Sequence, residues 1–487
     1  MAGDPTTLLR ASTAHSPSMA MLGRAGGGGP GGAPITDFCI PCNPHFPTPA
    51  MFERLAGSLR DILTYYPSDA DTISAELCRT LGLNPQTVAM GNGSTELITW
   101  IDHLLVRDSL AVPVPTFGRW TDQPMETGKR VDMMPLAEAH GFRLDPDAFV
   151  RFVRARGSRT AVVCNPNNPD GGLLAKDQVL AVCDGLQDLD LVVVDESFLE
   201  FSDAPGRTSV AEEAVVRPHV VVLRSLGKNF GLHGVRFGYL VANPALAGRI
   251  RSMLPKWNLN SFAETVVFML REHQEEYRES LRRARQDRRE MTARLSTLPG
   301  LTVYPSQGNF LYVRLPVGVD GVALRDRLLA EHGVLVRECG NKVGSSSRFL
   351  RLVVRPPQDV ERLVGALERV LYGGPVQGAP VRAPAAALGT GLGGAVVAGP
   401  GAVAAGAAGV PPGLRLVPAS APAPALWPAG PPVAASAAVP PAATAVPQAA
   451  TAVPPGGAAP APAVGPMAMA RGYTSSGTAA VDRLVTG

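Results

Sequence analysis

Residues 225–236 read Ser225-Leu226-Gly227-Lys228-Asn229-Phe230-Gly231-Leu232-His233-Gly234-Val235-Arg236 and follow the strand-like run Val220-Val221-Val222-Leu223. The segment sets a hydroxyl, an amine and a guanidinium at fixed offsets, at Ser225, Lys228 and Arg236. An amine attacks an aldehyde to form a Schiff base, and a hydroxyl together with a guanidinium suits a phosphate. The stretch therefore predicts a ligand-binding lysine at the end of a strand, which is where open α/β sheets place their ligands.

Three further motifs precede this segment. Gly91-Asn92-Gly93-Ser94-Thr95 reads as a glycine turn that opens a helix, whose free amides attract phosphate. Asn165-Pro166-Asn167-Asn168-Pro169 follows a second apolar run. Val192-Val193-Val194-Asp195-Glu196 ends a third such run with a carboxylate. A buried, ionised carboxylate keeps a neighbouring ring nitrogen protonated.

In this order the motifs resemble those of the class I/II aminotransferases, the fold-type I enzymes that use pyridoxal 5'-phosphate (PLP). The resemblance implies that Lys228 forms a Schiff base with PLP and that an ionised Asp195 keeps its pyridine nitrogen protonated, so that the ring accepts electrons released at Cα. Asn168 would bond the phenolic oxygen of PLP. The residues that would bind its phosphate are Gly93, Ser94, Thr95, Ser225 and Arg236.

The same resemblance assigns three aromatic residues. Phe117 would stack on the cofactor ring and shield it from water. Phe198 lies where many aminotransferases have a tyrosine that bonds the phenolic oxygen, and losing that bond should raise the pKa of the Schiff base. Tyr66 would reach the cofactor phosphate of a neighbouring subunit, which implies a homodimer with shared active sites.

The substrate side is also assigned by resemblance. Arg351 would pair with the α-carboxylate of the substrate as a planar fork. Arg337, Asn43 and Asn260 are the remaining candidates for substrate binding, and Asp170 is a departure from the family threonine. Asp170 either points toward the ligand or caps its turn, and we expect the cap.

The reaction has alternatives. The closest local likeness is to threonine-phosphate decarboxylase and histidinol-phosphate aminotransferase. We expect transamination of an L-amino acid or amino compound that carries a phosphate or similar anion. If Arg337 or Arg348 reorients the substrate through such a group, decarboxylation at Cα is the alternative. A PLP-binding regulator without catalysis is a remote third reading.

The apolar runs alternate with helix-length segments, which predicts an α/β fold with a mostly parallel sheet covered by helices. The predicted divisions are a disordered arm (1–33), an N-terminal segment over the active site (34–62), a large PLP-binding domain (63–262), a smaller α+β domain (263–373) and a disordered tail (374–487). The tail is predicted from its alanine, proline and glycine content.

Composition excludes several classes of protein. A net charge of +3 on 487 residues gives no basis for binding nucleic acid, and the uncharged part of the tail is too weakly hydrophobic for a membrane span. Cys39 and Cys42 are the only close pair among six cysteines, so we expect reduced thiols and no metal site. Reduced thiols favour a cytoplasmic location.

Overall fold

The computed structural model describes residues 34–374, all of which belong to one compact unit. The predicted arm at 1–33 and the tail beyond residue 374 lie outside these residues. The strands are β1 (Thr36–Asp37), β2 (Val88–Gly91), β3 (Ser109–Val114), β4 (Arg130–Pro135), β5 (Thr160–Cys164), β6 (Leu191–Asp195), β7 (Val220–Arg224), β8 (Gly238–Ala242), β9 (Thr302–Val303), β10 (Phe310–Arg314), β11 (Val334–Leu335), β12 (Arg337–Glu338) and β13 (Phe349–Val353).

The helices alternate with these strands. They are α1 (Pro49–Gly57), α2 (Leu59–Thr64), α3 (Ala70–Leu81), α4 (Ser94–Leu104), α5 (Arg119–Glu126), α6 (Pro146–Arg156), α7 (Lys176–Gly185), α8 (Pro205–Thr208), α9 (Ala211–Val215), α10 (Leu226–Asn229), α11 (Pro244–Met253), α12 (Ser261–Leu270), α13 (Gln274–Ser296), α14 (Gly321–His332) and α15 (Pro357–Tyr372).

The central sheet has the strand order β2-β8-β7-β6-β5-β3-β4. Strand β8 runs antiparallel to both of its neighbours, and the other pairs are parallel. The predicted mostly parallel α/β sheet is therefore confirmed. Because β2 and β8 are antiparallel, as are β8 and β7, β2 points the same way as β7, and the carboxyl ends of β2, β3, β5, β6 and β7 share one edge.

Side chains on the central strands bury both faces of the sheet. Along β6, Val192 and Val194 belong to one hydrophobic cluster, while Leu191 and Val193 belong to another. Successive side chains of a strand point to opposite faces, so this alternation means that helices cover the sheet on both sides. Continuous valine runs in the sequence therefore reflect strands with no solvent-facing side.

A second, four-stranded sheet has the order β12-β13-β10-β9 and is antiparallel throughout. Phe38, beyond β1, packs in the core of this sheet, and β1 pairs with β11. The central sheet falls within 63–262 and the second sheet within 263–373. The domain boundaries themselves stay predictions.

The N-terminal segment then reaches the lysine motif. The amide of Asn43 donates to the carbonyl of Lys228 at 2.9 Å. Gly231 has φ +66°, and a Cβ there would lie 1.8 Å from the Phe46 carbonyl oxygen, so this approach requires glycine. Within residues 34–374, no helix is both long and apolar enough to cross a membrane.

Candidate active site

Lys228 lies in the single turn of α10, directly after β7, and is 8% exposed. Its Nζ is 4.2 Å from the centre of the Phe198 ring and 5.6 Å from that of Phe117. Burial lowers the pKa of the Lys228 ammonium to about 8, while the Asp195 charge opposes this change. The amine therefore has a larger neutral, nucleophilic fraction at physiological pH than an exposed lysine has.

Asp195, the last residue of β6, is held by two donors. Its Oδ2 accepts from the indole Nε1 of Trp120 at 2.9 Å, and its Oδ1 accepts from the Ser197 amide at 3.0 Å. Trp120 is 1% exposed and lies in the first turn of α5. Trp120 was not among the site residues predicted from the sequence. The feature that could have indicated it is an aromatic residue with an N–H donor about one helical turn beyond Phe117.

The N-terminus of α4 and Arg236 form an anion cradle. Gly93, with φ +82°, immediately precedes this helix, and a Cβ there would lie 2.6 Å from the guanidinium of Arg236. Ser94 and Thr95 are the first two residues of α4, and Ser94 is buried. Ser225, also buried, precedes α10. The cradle thus combines free helix amides with a guanidinium that any side chain at position 93 would displace.

Asn168 and Arg351 meet across the two sheets. Nη1 of Arg351 donates to Oδ1 of Asn168 at 2.9 Å, and Nη2 donates to the Cys39 carbonyl at 2.6 Å. Both side chains are buried, and the Nε of Arg351 has no hydrogen-bond partner among the described residues. Burial lowers the pKa of the Arg351 guanidinium. A buried guanidinium with only neutral partners can still bind an anion.

Asp170 caps its own turn. Its Oδ1 accepts from the Gly172 amide at 2.8 Å, and its Oδ2 accepts from Nδ2 of Asn167. Burial raises the pKa of the Asp170 carboxyl to about 6. The expected cap is confirmed, and Asp170 shapes the loop that presents Asn168.

Arg337 and Asn43, two of the predicted substrate-binding residues, form hydrogen bonds within the protein near Arg351 and Lys228. Arg337 is the register partner of Arg351 on the adjacent strand, and its Nη2 donates to Oδ1 of Asn341 at 3.0 Å. The side-chain Nδ2 of Asn43 donates to the Asn229 carbonyl at 3.0 Å. The substrate roles of Arg337 and Asn43 stay predictions.

Asn260, the third of these residues, caps a helix. Its Oδ1 accepts from the Ala263 amide at the start of α12, and its Nδ2 donates to the Val235 carbonyl at 2.8 Å. These contacts fix the chain beside Arg236 and occupy both polar ends of the amide. Asn260 therefore holds the site in place, and its substrate role stays a prediction.

Tyr66 lies on the surface rather than among these residues. It is 86% exposed, and its ring packs at 5.8 Å from that of Trp257. Among residues 34–374 of this single chain, Tyr66 forms no hydrogen bond with Gly93, Ser94 or Arg236 of the anion cradle. This placement agrees with a contact to another subunit without testing it.

A match to one family model identifies the chain. The model described as "Aminotransferase class I and II" matches residues 34–367. The chain belongs to this family. It is therefore a PLP-dependent enzyme, as the order of its motifs predicted.

Two similar relatives illustrate matches above 30% identity. "Uncharacterized protein y4rO" of Sinorhizobium fredii is 36% identical over 69% of this chain and 54% of its own length. "CMP-5'-(3-aminopropyl)phosphonate synthase" of Streptomyces rubellomurinus is 33% identical over 70% of this chain and 54% of its own length. The chain thus spans about half the length of these two curated relatives.

Other relatives are covered more fully and carry two activities. "L-serine phosphate decarboxylase" of Sulfurospirillum multivorans is 26% identical over 65% of this chain and 81% of that protein. "Histidinol-phosphate aminotransferase" of Ruminiclostridium cellulolyticum is 29% identical over 59% of this chain and 80% of that protein. The solved structure of a decarboxylase from Sulfurospirillum multivorans is 25% identical, covers 76% of this chain and 97% of its own, and has a TM-score of 0.67.

The residues present fit PLP. The glycine-lined cradle beside Arg236 suits its phosphate, and the buried Lys228 amine suits its aldehyde. Asp195, fixed by Trp120, suits its pyridine nitrogen. When bound there, PLP supplies a ring that accepts electrons from a bond at Cα of the substrate.

Proposed function

We propose that the enzyme decarboxylates an L-amino acid whose side chain carries a phosphate or phosphonate. The observation that carries this proposal is the register of Arg337 with Arg351 on adjacent strands. Directly opposite residues of an antiparallel pair project to the same face of the sheet. Two guanidinium groups on one face suit a substrate with two anionic groups, the α-carboxylate and a distal one.

The distal group decides which bond at Cα breaks. The bond perpendicular to the cofactor ring breaks fastest, because its electrons enter the π-system. A carboxylate held by Arg351 alone lies near Asn168 and favours loss of the Cα proton. A second attachment at Arg337 turns the substrate so that the carboxylate is perpendicular. Carbon dioxide then leaves, and the Lys228 ammonium delivers the proton that replaces it at Cα.

The relatives named as decarboxylases support the reaction, and the phosphonate synthase supports only the distal anionic group. The decarboxylase names quoted above include an L-serine phosphate enzyme, and the phosphonate synthase is named for a product with an amine and a phosphonate. Phe198, whose ring centre lies 4.2 Å from Nζ of Lys228, supports the same reading, because the threonine-phosphate decarboxylase pattern that the sequence resembles also has phenylalanine there. This was the alternative reading of the sequence, and these observations now favour it.

Transamination is the second candidate. The hydrogen bond between Arg351 and Asn168 favours it. This bond places Arg351, the predicted carboxylate-binding residue, beside Asn168, which is predicted to contact the edge of the cofactor ring. The histidinol-phosphate aminotransferase relative supports it as well. In that reaction Lys228 removes the Cα proton as a general base.

One experiment separates the two reactions. The purified holoenzyme is mixed with O-phospho-L-serine, O-phospho-L-threonine, 2-amino-4-phosphonobutyrate, histidinol phosphate or L-serine, and carbon dioxide and the visible absorbance are followed together. Carbon dioxide release with recovery of the original absorbance supports decarboxylation. Conversion of the cofactor to its amine form without carbon dioxide would replace this proposal with transamination.

We also propose that the enzyme acts as a homodimer. Large apolar side chains are exposed on α1, on α2 and in the loop that follows it: Phe52 (52%), Leu63 (70%), Tyr65 (68%) and Tyr66 (86%). Clustered exposed apolar groups are typical of an interface. Sedimentation of the wild type and of Leu63→Glu tests this, since a monomeric wild type would exclude it.

A further inference from the structure

Lys342 belongs to a loop that joins the second sheet to the end of β3. The loop spans residues 339–348, between β12 and β13. Gly344 has φ +79°, and a Cβ there would lie 2.9 Å from the Pro115 nitrogen, so the loop backbone touches the chain just after β3. A hydrogen bond of 2.6 Å between Tyr312 and Ser345 ties the loop to β10.

This loop places the Lys342 ammonium beside the segment that carries Phe117, the residue predicted to stack on the cofactor ring. Its Nζ donates to the carbonyl of Thr116 at 2.7 Å. The next residue, Phe117, has its ring 5.6 Å from Nζ of Lys228. The hydroxyl of Thr116 donates to Oδ1 of Asn167, which precedes the Asn168 that binds Arg351. Lys342 therefore contacts the loop after β3, whose Phe117 also lies near the catalytic lysine. It is also within electrostatic range of Arg351.

The ammonium has no carboxylate partner in this position. Among residues 34–374, neither Lys342 nor Arg351 takes part in a salt bridge. Asp170 lies within electrostatic range, but both of its oxygens accept hydrogen bonds from Gly172 and Asn167. Lys342 is partly buried, and a partly desolvated cation without a salt-bridge partner is costly, so binding an anion relieves that cost.

Two guanidinium groups add to this positive region. Burial, together with the charges of the nearby Arg351 and Arg337, lowers the pKa of the Lys342 ammonium to about 8. Three cations within electrostatic range of one another favour a ligand of charge near −2 over a single carboxylate. A phosphate monoester carries such a charge at neutral pH, as a phosphonate does in part.

We propose that Lys342, with Arg337, recognises the distal phosphate or phosphonate of the substrate, leaving Arg351 to the α-carboxylate. This inference rests on the proposed substrate class. It makes Lys342 a residue that determines specificity and does not take part in the bond-breaking step.

The test compares Lys342→Met with the wild type and with Lys176→Met as a matched control. Lys176, on α7, is partly exposed and pairs with Glu213. We expect KM for O-phospho-L-serine to rise about 10- to 100-fold in Lys342→Met, as for a lost charge-assisted hydrogen bond, while KM for L-serine stays within about twofold. Lys342→Arg should recover part of the loss. An equal change for both substrates, or none, would overturn the proposal.

A second readout does not depend on the reaction catalysed. Inorganic phosphate is titrated into holoenzyme, in which the cofactor phosphate already fills the cradle, and acetylation of Lys342 by acetic anhydride is followed by mass spectrometry. Phosphate should protect Lys342 but not Lys176. If phosphate protects Lys342 and the enzyme transaminates, the phosphate-binding role of Lys342 is supported and decarboxylation is rejected. If phosphate does not protect Lys342, that role is rejected whichever reaction the enzyme catalyses. Because this measurement uses the wild type, it holds even if Lys342→Met does not fold.

Discussion

Trp120 holds Asp195 in place, through a hydrogen bond of 2.9 Å from its indole Nε1 to Oδ2. The two residues come from the ends of different strands, since Trp120 follows β3 and Asp195 ends β6. With the Ser197 amide on the other oxygen, the carboxylate has one fixed orientation. Its charge then faces the ligand without having to reorganise during the reaction.

Replacing Trp120 by phenylalanine should keep the packing and remove the donor. A hydrogen bond to a charged group is worth about 1.5–3 kcal/mol, so we expect kcat to fall or the cofactor dissociation constant to rise by about 10- to 100-fold. Kinetics and a cofactor titration measure both. Trp100→Phe, on α4, is the matched control. Wild-type values in Trp120→Phe would show that Asp195 does not need this donor.

Lys228→Ala should abolish the visible absorption band of the lysine-linked cofactor, because Lys228 carries the amine that fits the aldehyde. Some cofactor should remain, held by the cradle at Gly93 and Arg236. Absorbance spectra after gel filtration measure this, with Lys176→Ala as the surface control. An unchanged visible band would mean that a different amine binds PLP.

The low pKa of Lys228 also predicts a pH profile for uptake of PLP by the apoenzyme. Below a pKa of about 8 the neutral fraction of the amine falls about tenfold for each pH unit, and above it the fraction levels off. The rate of covalent uptake should follow this curve, rising up to about pH 8. Stopped-flow absorbance between about pH 6.5 and 10.5 measures it. A rise that continues to about pH 10 would mean that burial does not lower this pKa.

The local motifs could be predicted from the sequence, whereas contacts between distant segments could not. The Lys228, Asn168 and Asp195 motifs each follow an apolar run, and parallel strands bring those ends to one edge. The contacts of Trp120 and Lys342 could not be predicted, because their partners, Asp195 and Thr116, are 75 and 226 residues away in the chain. Such pairings depend on the packing of the two sheets.

Asn260 shows the opposite difficulty. The family resemblance made it a candidate for substrate binding, yet its Oδ1 caps α12 and its Nδ2 donates to the Val235 carbonyl. Asparagine is a favoured N-cap, so sequence alone could not separate the two uses. The bond from Asn260 to the Val235 carbonyl also fixes the chain next to Arg236. Asn260 therefore affects binding of the cofactor phosphate only indirectly, through Arg236.

Arg351→Lys should raise KM for every α-amino acid substrate by about 10- to 100-fold, since lysine cannot reproduce the fork that binds Asn168, Cys39 and a carboxylate together. The loss should be the same for O-phospho-L-serine and L-serine, in contrast to that in Lys342→Met. Steady-state kinetics measure it, with the exposed Arg282→Lys on α13 as control. Loss confined to the phosphorylated substrate would exchange the roles of Arg351 and Lys342.

Phe198→Tyr tests whether the missing hydroxyl beside Lys228 matters. The Phe198 ring centre lies 4.2 Å from Nζ of Lys228 and packs edge-on against Phe310 at 4.9 Å, so a para hydroxyl is added to an ordered ring. A hydroxyl that bonds the phenolic oxygen of the cofactor stabilises its ionised form and lowers the pH at which the visible band changes. We expect that shift in Phe198→Tyr, measured by spectrophotometric titration, with Phe201→Tyr, which lies in the same hydrophobic cluster, as control. No shift would mean that the side chain at position 198 does not reach the phenolic oxygen, and the support that Phe198 gives to decarboxylation would be lost.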